Sequence, residues 1–210
     1  MTLSEMVTLV RRDLHDEESE RYRFTDDALT RHILRAVKDF SESIPLEQTA
    51  TVETVSGSRD IDISETTGRI MVEAVEYPAG KFPKCYQRFS LWADTLTLLG
   101  DAVPDGSDVC IYYGGLHTLG EESSTIPEMY EDLIAAGAAG YAAMEFAAFT
   151  INQVNAGGTG SAQDFLSFGK ESLLTFRKEL KRLGRRNRVR AKSLYTTGNA
   201  SVSRTVVSRP

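Results

Sequence analysis

Apolar side chains recur at helical spacing in two stretches near the beginning of the chain. Thr2 and Glu5 have the spacing of a capping box before the first stretch, and Thr25 is a favoured N-cap residue before the second. Apolar positions three and four residues apart lie on one face of a helix. Pro45 is predicted to end the second helix, because a residue before proline avoids helical geometry. The apolar positions of these two predicted helices are Leu3, Met6, Val7, Val10, Leu14, Leu29, Ile33, Ala36, Val37, Phe40 and Ile44.

Helical spacing returns in the second half of the chain, where a third helix is predicted to begin after Thr125. Thr125 and Glu128 have capping-box spacing, and the helix is expected to run to about Asn155. Residues 133–151 are rich in Ala and Gly, and Glu145 is their only formal charge. Because Ala and Gly contribute little to membrane insertion and permit close helix contact, we expect a buried helix and not a membrane span.

A fourth helix is predicted from Ser161 to Gly184, with a seam of apolar and small residues at alternating spacings of three and four. Glycine is a common helix terminator, so Gly184 is expected to end it. The four helices are predicted to form a bundle. Its expected core consists of Leu29, Ile33, Val37, Phe40, Leu133, Ala136, Gly140, Met144, Leu173, Phe176 and Leu180.

Between the helical stretches, from about Gln48 to Tyr113, apolar and polar residues alternate with a period of two. Gly, Pro, Asp and Ser clusters interrupt the alternation at the short intervals of hairpins. This pattern predicts roughly six short antiparallel strands, enough for a small sandwich or barrel. The predicted fold class is therefore α+β: a four-helix bundle from two N-terminal and two C-terminal helices, with a β-sandwich or barrel inserted. The predicted domains are residues 1–46 with 120–184, the insertion 47–119, and an extended basic arm 185–210.

Charge is distributed unevenly along the 210 residues. From Arg177 to Pro210 there are 11 Lys or Arg and one acid, Glu179, a net +10, whereas the whole chain carries −6 and the remainder therefore −16. A basic segment with only sparse apolar anchors does not fold alone, so the arm is expected to order on a partner. The partner class is nucleic acid or an acidic protein surface. Only Tyr195 lies near the basic cluster, and nucleic-acid readers usually add more aromatics, which favours protein docking.

The cysteines and histidines do not have the spacing of a metal site or of a catalytic motif. Cys85 and Cys110 sit singly in strand-like runs, so we expect buried apolar fillers and not a disulfide framework or a zinc site. The three histidines are far apart, and surface or capping roles are expected for them. They are His15, His32 and His117.

Glu145 is the residue that a purely structural interpretation explains least well, because a carboxylate in an apolar helix is costly to bury unless it pairs. We expect structural pairing. A hydrolase that uses Glu145 or His117 is disfavoured, since the sequence offers neither an activated nucleophile nor a second catalytic group at a telling spacing. No enzymatic activity, cofactor or metal is expected. The start of the sequence lacks the apolar run of a signal peptide, so a cytoplasm-like compartment is expected.

Four segments, together with the order of the predicted elements, resemble the head-to-tail connector (adaptor) proteins of tailed bacteriophages. They are Met1–Val7, Glu76–Pro78, Tyr112–Leu119 and the Ala/Gly-rich stretch Leu133–Phe149. The resemblance covers most of the chain. It implies a structural virion protein, located at the head–tail junction and assembled in the host bacterial cytoplasm.

The resemblance also implies the partners. Connector proteins form rings, commonly dodecameric, beneath the portal protein; the ring extends the DNA channel and offers its lower face to tail, stopper or nozzle proteins. Genomic DNA would pass without sequence-specific binding, and an acidic channel would repel its phosphates. The basic arm would dock on the portal. Its expected docking residues are Arg182, Arg185, Arg186, Arg188, Arg190, Lys192, Leu194, Tyr195, Val202, Arg204, Val206 and Val207.

Overall fold

The computed structural model describes residues 1–100, 103–150 and 162–195, with only the backbone of Lys192 and Ser193. These residues form an α+β protein with four α-helices and two antiparallel sheets, which confirms the predicted class. The chain divides into two compact units. Of the described residues, the first unit comprises those within Met1–Leu46 and Leu116–Asn187, and the second comprises those within Glu47–Gly115 and 188–195.

In the described part of the chain, two helices are followed by seven strands and then by two further helices. Two short 3-10 turns, Ser19–Arg21 and Glu128–Tyr130, precede α2 and α3. The helices are α1 Leu3–Asp13, α2 Asp26–Ser43, α3 Glu131–Thr150 and α4 Ala162–Leu194. The strands are β1 Leu46–Glu53, β2 Asp60–Asp62, β3 Arg69–Glu76, β4 Tyr86–Gln87, β5 Phe89–Trp92, β6 Thr95–Leu98 and β7 Asp108–Gly115.

The first two helices begin where their capping residues predict. The Glu5 backbone N–H donates to Thr2 Oγ1 over 3.3 Å, and the Thr2 backbone N–H donates to Glu5 Oε2 over 2.7 Å, so the predicted capping box is confirmed. Thr25 Oγ1 likewise accepts from the Ala28 N–H over 3.2 Å. Each cap satisfies backbone donors that the first helical turn leaves without partners.

The capping box predicted for α3 is wrong. A 3-10 turn follows Pro127 without a side-chain cap, and Thr125 Oγ1 accepts instead from the Thr118 N–H over 2.8 Å. Thr125 is thus held by the loop before α3, seven residues earlier in the chain, a contact that capping-box spacing does not reveal. The predicted end near Asn155 lies outside the described residues.

Helix α3 is buried on several sides within the first unit. Glu128–Thr150 is long and apolar enough to cross a membrane by length and composition, yet 56% of its most apolar window is buried inside the protein. Small residues allow this: a Cβ added to Gly137 would lie 2.9 Å from the Phe176 ring, and one added to Gly140 would lie 2.9 Å from Leu173 Cγ. α3 and α4 therefore approach more closely than larger side chains allow.

Most of the predicted helical core is buried. Among the eleven residues expected there, Leu133, Ala136 and Met144 are only half-buried, although Leu133 and Met144 pack against the core. The residues that are buried as predicted are Leu29, Ile33, Val37, Phe40, Gly140, Leu173, Phe176 and Leu180.

The second unit contains both sheets, whose strand orders are β1-β7-β3-β4 and β2-β6-β5. Seven strands occur among the described residues where about six were predicted. The two sheets share one apolar core, which comprises Ile61, Ile63, Val75, Tyr77, Leu96, Leu98, Val109 and Ile111. Alternation along the strands directs the strand residues of this core inward and turns their neighbours in sequence outward.

The prediction that Gly184 ends the fourth helix is wrong, and so is the extended arm for residues 185–194. α4 continues through Gly184 to Leu194. A glycine inside a helix costs only about 1 kcal/mol relative to alanine, and the Arg, Lys and Leu residues that follow are good helix formers. Gly184 also packs closely: a Cβ there would lie 3.3 Å from the Ser43 carbonyl oxygen. Glycine serves here for close approach.

Candidate docking surface

Helix α4 has one apolar face and one basic face. Leu173, Phe176, Leu180 and Leu183 are buried within the first unit. Their spacings of three and four residues place them on one side of the helix. The opposite side carries exposed cations, so the position of the buried stripe determines which lysines and arginines reach solvent.

We call five exposed residues of α4 the basic face: Lys178, Lys181, Arg182, Arg185 and Arg186. At 1.5 Å per residue they extend over about 12 Å of helix. Arg182 Nε donates to Glu179 over 2.8 Å, an exposed pair within one helical turn that partly neutralises the surface. The face as a whole retains a strong positive charge. It is suited to carboxylates or phosphates, with which arginine forms bidentate pairs.

The basic face also borders an exposed apolar side chain. Leu174 is 68% exposed, and it lies one helical turn before Lys178. A phosphate backbone offers nothing to bury against leucine, whereas a protein partner does. Leu174 therefore makes this surface resemble a protein-docking site more than a purely electrostatic one.

Three tyrosines from distant parts of the chain meet in the second unit, and we call them the tyrosine cluster. The ring of Tyr195 lies 5.3 Å from that of Tyr86 and 5.2 Å from that of Tyr112, and the latter two rings are 5.9 Å apart. Burial, followed by the nearby charge of Glu73, raises the pKa of Tyr195, and burial raises the pKa of Glu73. The cluster holds the last described residue of the chain against the sheet.

A buried carboxylate supports the tyrosine cluster. Glu76 is 2% exposed and accepts from Tyr112 Oη over 2.6 Å, from Lys84 Nζ over 3.1 Å and from the Gly80 N–H over 3.1 Å. Burial would raise the pKa of Glu76, but these three bonds together outweigh it and lower that pKa. For Tyr112, burial and then the bond to Glu76 raise the pKa to about 12. Tyr112 therefore stays protonated at neutral pH, as a donor to Glu76.

Sequence reasoning missed Tyr86, Tyr112 and Glu76 as neighbours of Tyr195. Strand pairing brings them together, since β3 pairs Glu76 with Tyr86 and Ala74 with Tyr112. The alternation of each strand gave the only available signal, namely which face its side chains occupy. It did not indicate which strands are neighbours.

The predicted arm residues do not form one continuous surface. Arg182, Arg185 and Arg186 lie on the basic face, and Arg190, in the second unit, forms an ion pair with Glu47. Arg188 and Leu194 are exposed, and Tyr195 is in the tyrosine cluster. The side chain of Lys192 is not described. Four predicted residues lie outside the described part of the chain: Val202, Arg204, Val206 and Val207.

Glu145 pairs with cations, but the expectation that it is buried is wrong. Its side chain is 50% exposed and forms an ion pair with Arg31. Its Oε2 also lies 3.0 Å from Nε2 of the buried His32, without the alignment of a hydrogen bond. The apolar residues around Glu145 in the sequence face other directions around the helix, so their burial does not extend to Glu145.

Lowering the pH is expected to destabilise the first unit through His32. Burial, reinforced by the charges of Arg31 and Arg35 and opposed by Glu145, lowers the pKa of His32 below its usual 6.5. The unfolded chain then binds more protons than the folded one, so stability is complete above pH 6.5 and falls as the pH drops towards the folded pKa. Because His32 binds one proton, the free energy of unfolding can change through it by at most about 1.4 kcal/mol per pH unit. Denaturant titrations across pH 5–8 would measure it.

Two histidine substitutions test whether His32 causes this pH dependence of stability. His32→Gln is expected to remove the slope near pH 6.5, while His15→Gln, at an exposed position, is expected to leave it unchanged. An identical slope in wild type and His32→Gln would contradict the role given to His32.

The remaining candidates have structural contacts. His117 is 8% exposed, so of the expected surface and capping roles only capping fits: its ring nitrogens lie 3.0 Å from the carbonyl oxygens of Thr125 and of Ile44, the C-cap residue of α2. Both cysteines are free thiols, and both are half-buried where full burial was expected; Cys110 alternates along β7 with the buried Val109 and Ile111, so it lies on the opposite face of the sheet from the apolar core. Among the described residues, no group of three or more His, Cys, Asp or Glu side chains is arranged to hold a metal ion.

No protein-family model matches the chain, and a search of the curated proteins finds no match.

Proposed function

We propose that this chain is a structural head-to-tail connector subunit of a tailed bacteriophage and has no enzymatic role. In this proposal it forms a ring, dodecameric by resemblance, beneath the portal protein. The ring extends the DNA channel and offers an attachment surface to tail, stopper or nozzle proteins. The single observation that carries the proposal is the exposed basic face of α4, which leads into a basic C-terminal segment on an otherwise acidic chain.

The order of elements supports the same proposal. Two helices, a β-rich insertion and two further helices follow one another along the chain, as the resemblance to connector proteins implies. We interpret the four helices of the first unit as a bundle and the two sheets, with their shared core, as a small sandwich. These are the parts that a ring subunit needs: a rigid helical body and a second module for neighbouring proteins.

Docking on the portal would use the basic face and the segment after Tyr195 together. The five cations of the basic face are presented on a helix, so little conformational entropy is lost when they pair with carboxylates. The following segment, which includes Arg204 and Val206, would add cations and apolar side chains to the same contact. Many copies in one ring would bind cooperatively through multivalency.

Ending the chain after Tyr195 is expected to weaken capture by portal rings by about a hundredfold, because every copy loses one of its two attachment points. This truncation leaves every described residue in place. Co-sedimentation of purified chain with portal rings measures the loss. Capture at full strength by the truncated chain would overturn the assignment of the arm as the portal-docking segment.

Two double variants with the same change in net charge distinguish the role of the basic face from an effect of net charge alone. Arg182→Gln with Arg185→Gln should weaken capture by portal rings. Lys38→Gln with Lys170→Gln removes the same charge from other exposed positions and should leave capture unchanged.

The alternative function is a nucleic-acid-binding assembly or accessory protein that uses the basic arm. It predicts DNA affinity that falls steeply with salt and is lost in the arginine variant.

A further inference from the structure

Trp92 is the only tryptophan of the chain and is 86% exposed at the end of β5. It pairs with Thr95 across a two-residue turn, so its indole projects from the tip of the β5–β6 hairpin. Water-exposed tryptophan loses the free energy that burial of its large apolar surface would provide. Exposed aromatic side chains of this size are enriched among the residues that dominate binding at protein interfaces.

Arg69 holds this hairpin tip in place. Its guanidinium donates to the Ala93 carbonyl oxygen over 3.0 Å and forms an ion pair with Asp94, the two residues of the turn. The same side chain donates to the Ile63 carbonyl oxygen over 2.9 Å. Trp92 is thus presented on a braced turn, which reduces the entropy lost when it binds.

A separate pocket in the first unit has the chemistry to receive an indole ring. It has a volume of about 390 Å³, and its aromatic lining residues are Phe165 and the 40% exposed Phe168. Phe165 is fixed from behind by the Phe146 ring at 4.7 Å. The other residues lining the pocket are Asp13, Leu14, His15, Arg23 and Asp164.

The polar groups of the pocket match the polar part of tryptophan. A buried indole needs an acceptor for its N–H, and the carboxylates of Asp13 and Asp164 can supply one. Arg23, whose guanidinium lies 5.6 Å from the centre of the Phe165 ring, can also stack on an indole face. Apolar walls, a carboxylate and a guanidinium together are more specific for tryptophan than for an aliphatic side chain.

We propose that Trp92 of one copy inserts into the Phe165–Phe168 pocket of a second copy. Each copy carries both halves of the contact, the side chain in its second unit and the pocket in its first. Such a contact is heterologous, and it closes a ring when the rotation between copies permits. This contact rests on the proposed connector ring. Unless the copies close into a ring, a head-to-tail contact adds further copies without limit and forms a filament.

Two variants, each lacking one half of the contact, test the proposal. Trp92→Ala removes the inserted side chain, and Phe168→Arg blocks the pocket at an exposed position. Each variant alone is expected to associate at least about tenfold more weakly than wild type, as measured by sedimentation at concentrations up to about 1 mM. An equimolar mixture is expected to form capped dimers, because Trp92 of the Phe168→Arg copy can still enter the pocket of the Trp92→Ala copy.

Tryptophan fluorescence reads out the contact directly. In the mixture only the Phe168→Arg copy contains a tryptophan, so its emission should shift to shorter wavelength when the Trp92→Ala copy is added. The control, Phe82→Ala, removes a 98% exposed aromatic side chain elsewhere and should associate like wild type. A wild-type chain that stays monomeric throughout, or associates with Trp92 still in water, overturns the inference.

Failure of the Trp92 contact and failure of the proposed connector function would give different results. Self-association that is insensitive to Trp92 and Phe168 would point to another surface, or to a pocket filled by the chain itself, and would leave portal capture untouched. Failure of portal capture with the Trp92 contact intact would overturn the connector proposal alone. Equal weakening by Phe82→Ala would indicate unspecific apolar association and would also overturn the Trp92 contact.

Discussion

Replacing Phe176 with alanine is expected to lower the free energy of unfolding of the first unit by about 3–5 kcal/mol, the range for large-to-small changes of buried phenylalanine. Phe176 is 1% exposed and packs against Gly137 of α3. A glycine has no side chain that could move into the vacated space, so the cavity cannot collapse easily. The loss would be a large part of the total stability of a small domain, which is typically about 5–15 kcal/mol.

Urea unfolding followed by far-ultraviolet circular dichroism measures this effect, and the helical signal reports mainly on the first unit. The matched control is Leu174→Ala, two positions away on the same helix, where a side chain 68% exposed should cost less than about 0.5 kcal/mol. Similar losses in the two variants would contradict the burial of Phe176 between α3 and α4.

Arg11→Met is expected to destabilise the first unit by about 3–5 kcal/mol, because it leaves a buried carboxylate without its cation. Arg11 Nη1 donates to Asp16 over 2.7 Å, and the side chains are 6% and 3% exposed. Arg11 Nη2 also donates to the Phe24 carbonyl oxygen over 3.0 Å and to Asp26 over 2.6 Å. One guanidinium thus connects α1, the following loop and the first turn of α2.

The neighbouring residue provides the control for this second experiment. Arg12→Met removes the same charge from a side chain that is 67% exposed, and an exposed ion pair with Glu17 contributes at most about 1 kcal/mol. The double change Arg11→Met with Asp16→Leu should recover part of the loss, because no charge is then left uncompensated. A midpoint for Arg11→Met equal to that of Arg12→Met would show that the buried network contributes nothing.

The capping residues and apolar spacings of α1 and α2 were sufficient to locate both helices. Thr2, Glu5 and Thr25 act within one helical turn, so the information needed is contained in four consecutive residues. The basic composition of the last 34 residues was equally apparent, and with it the candidate docking segment. Local chemistry determines these features, and tertiary contacts did not override it.

Features that depend on long-range contacts could not be predicted. Gly184 looked like a helix terminator, but Ser43 packs against it and α4 continues, so Arg185 and Arg186 of the predicted arm lie on a helical face. Glu145 looked buried because its sequence neighbours are apolar, yet its direction around α3 brings it to Arg31. In both cases the outcome depended on which side of the helix faces α2, and the sequence alone does not show this.

By itself, the sequence determined the α+β class, the order of helices and strands, the buried stripes and the uneven distribution of charge. Each of these follows from interactions within a few residues or from composition. Only the tertiary structure decided that the cations of α4 form one exposed face, that Tyr195 meets Tyr86 and Tyr112, and that Trp92 stands on a braced hairpin. Those arrangements depend on which surfaces pack together, a choice governed by apolar burial and close packing between residues far apart in the chain.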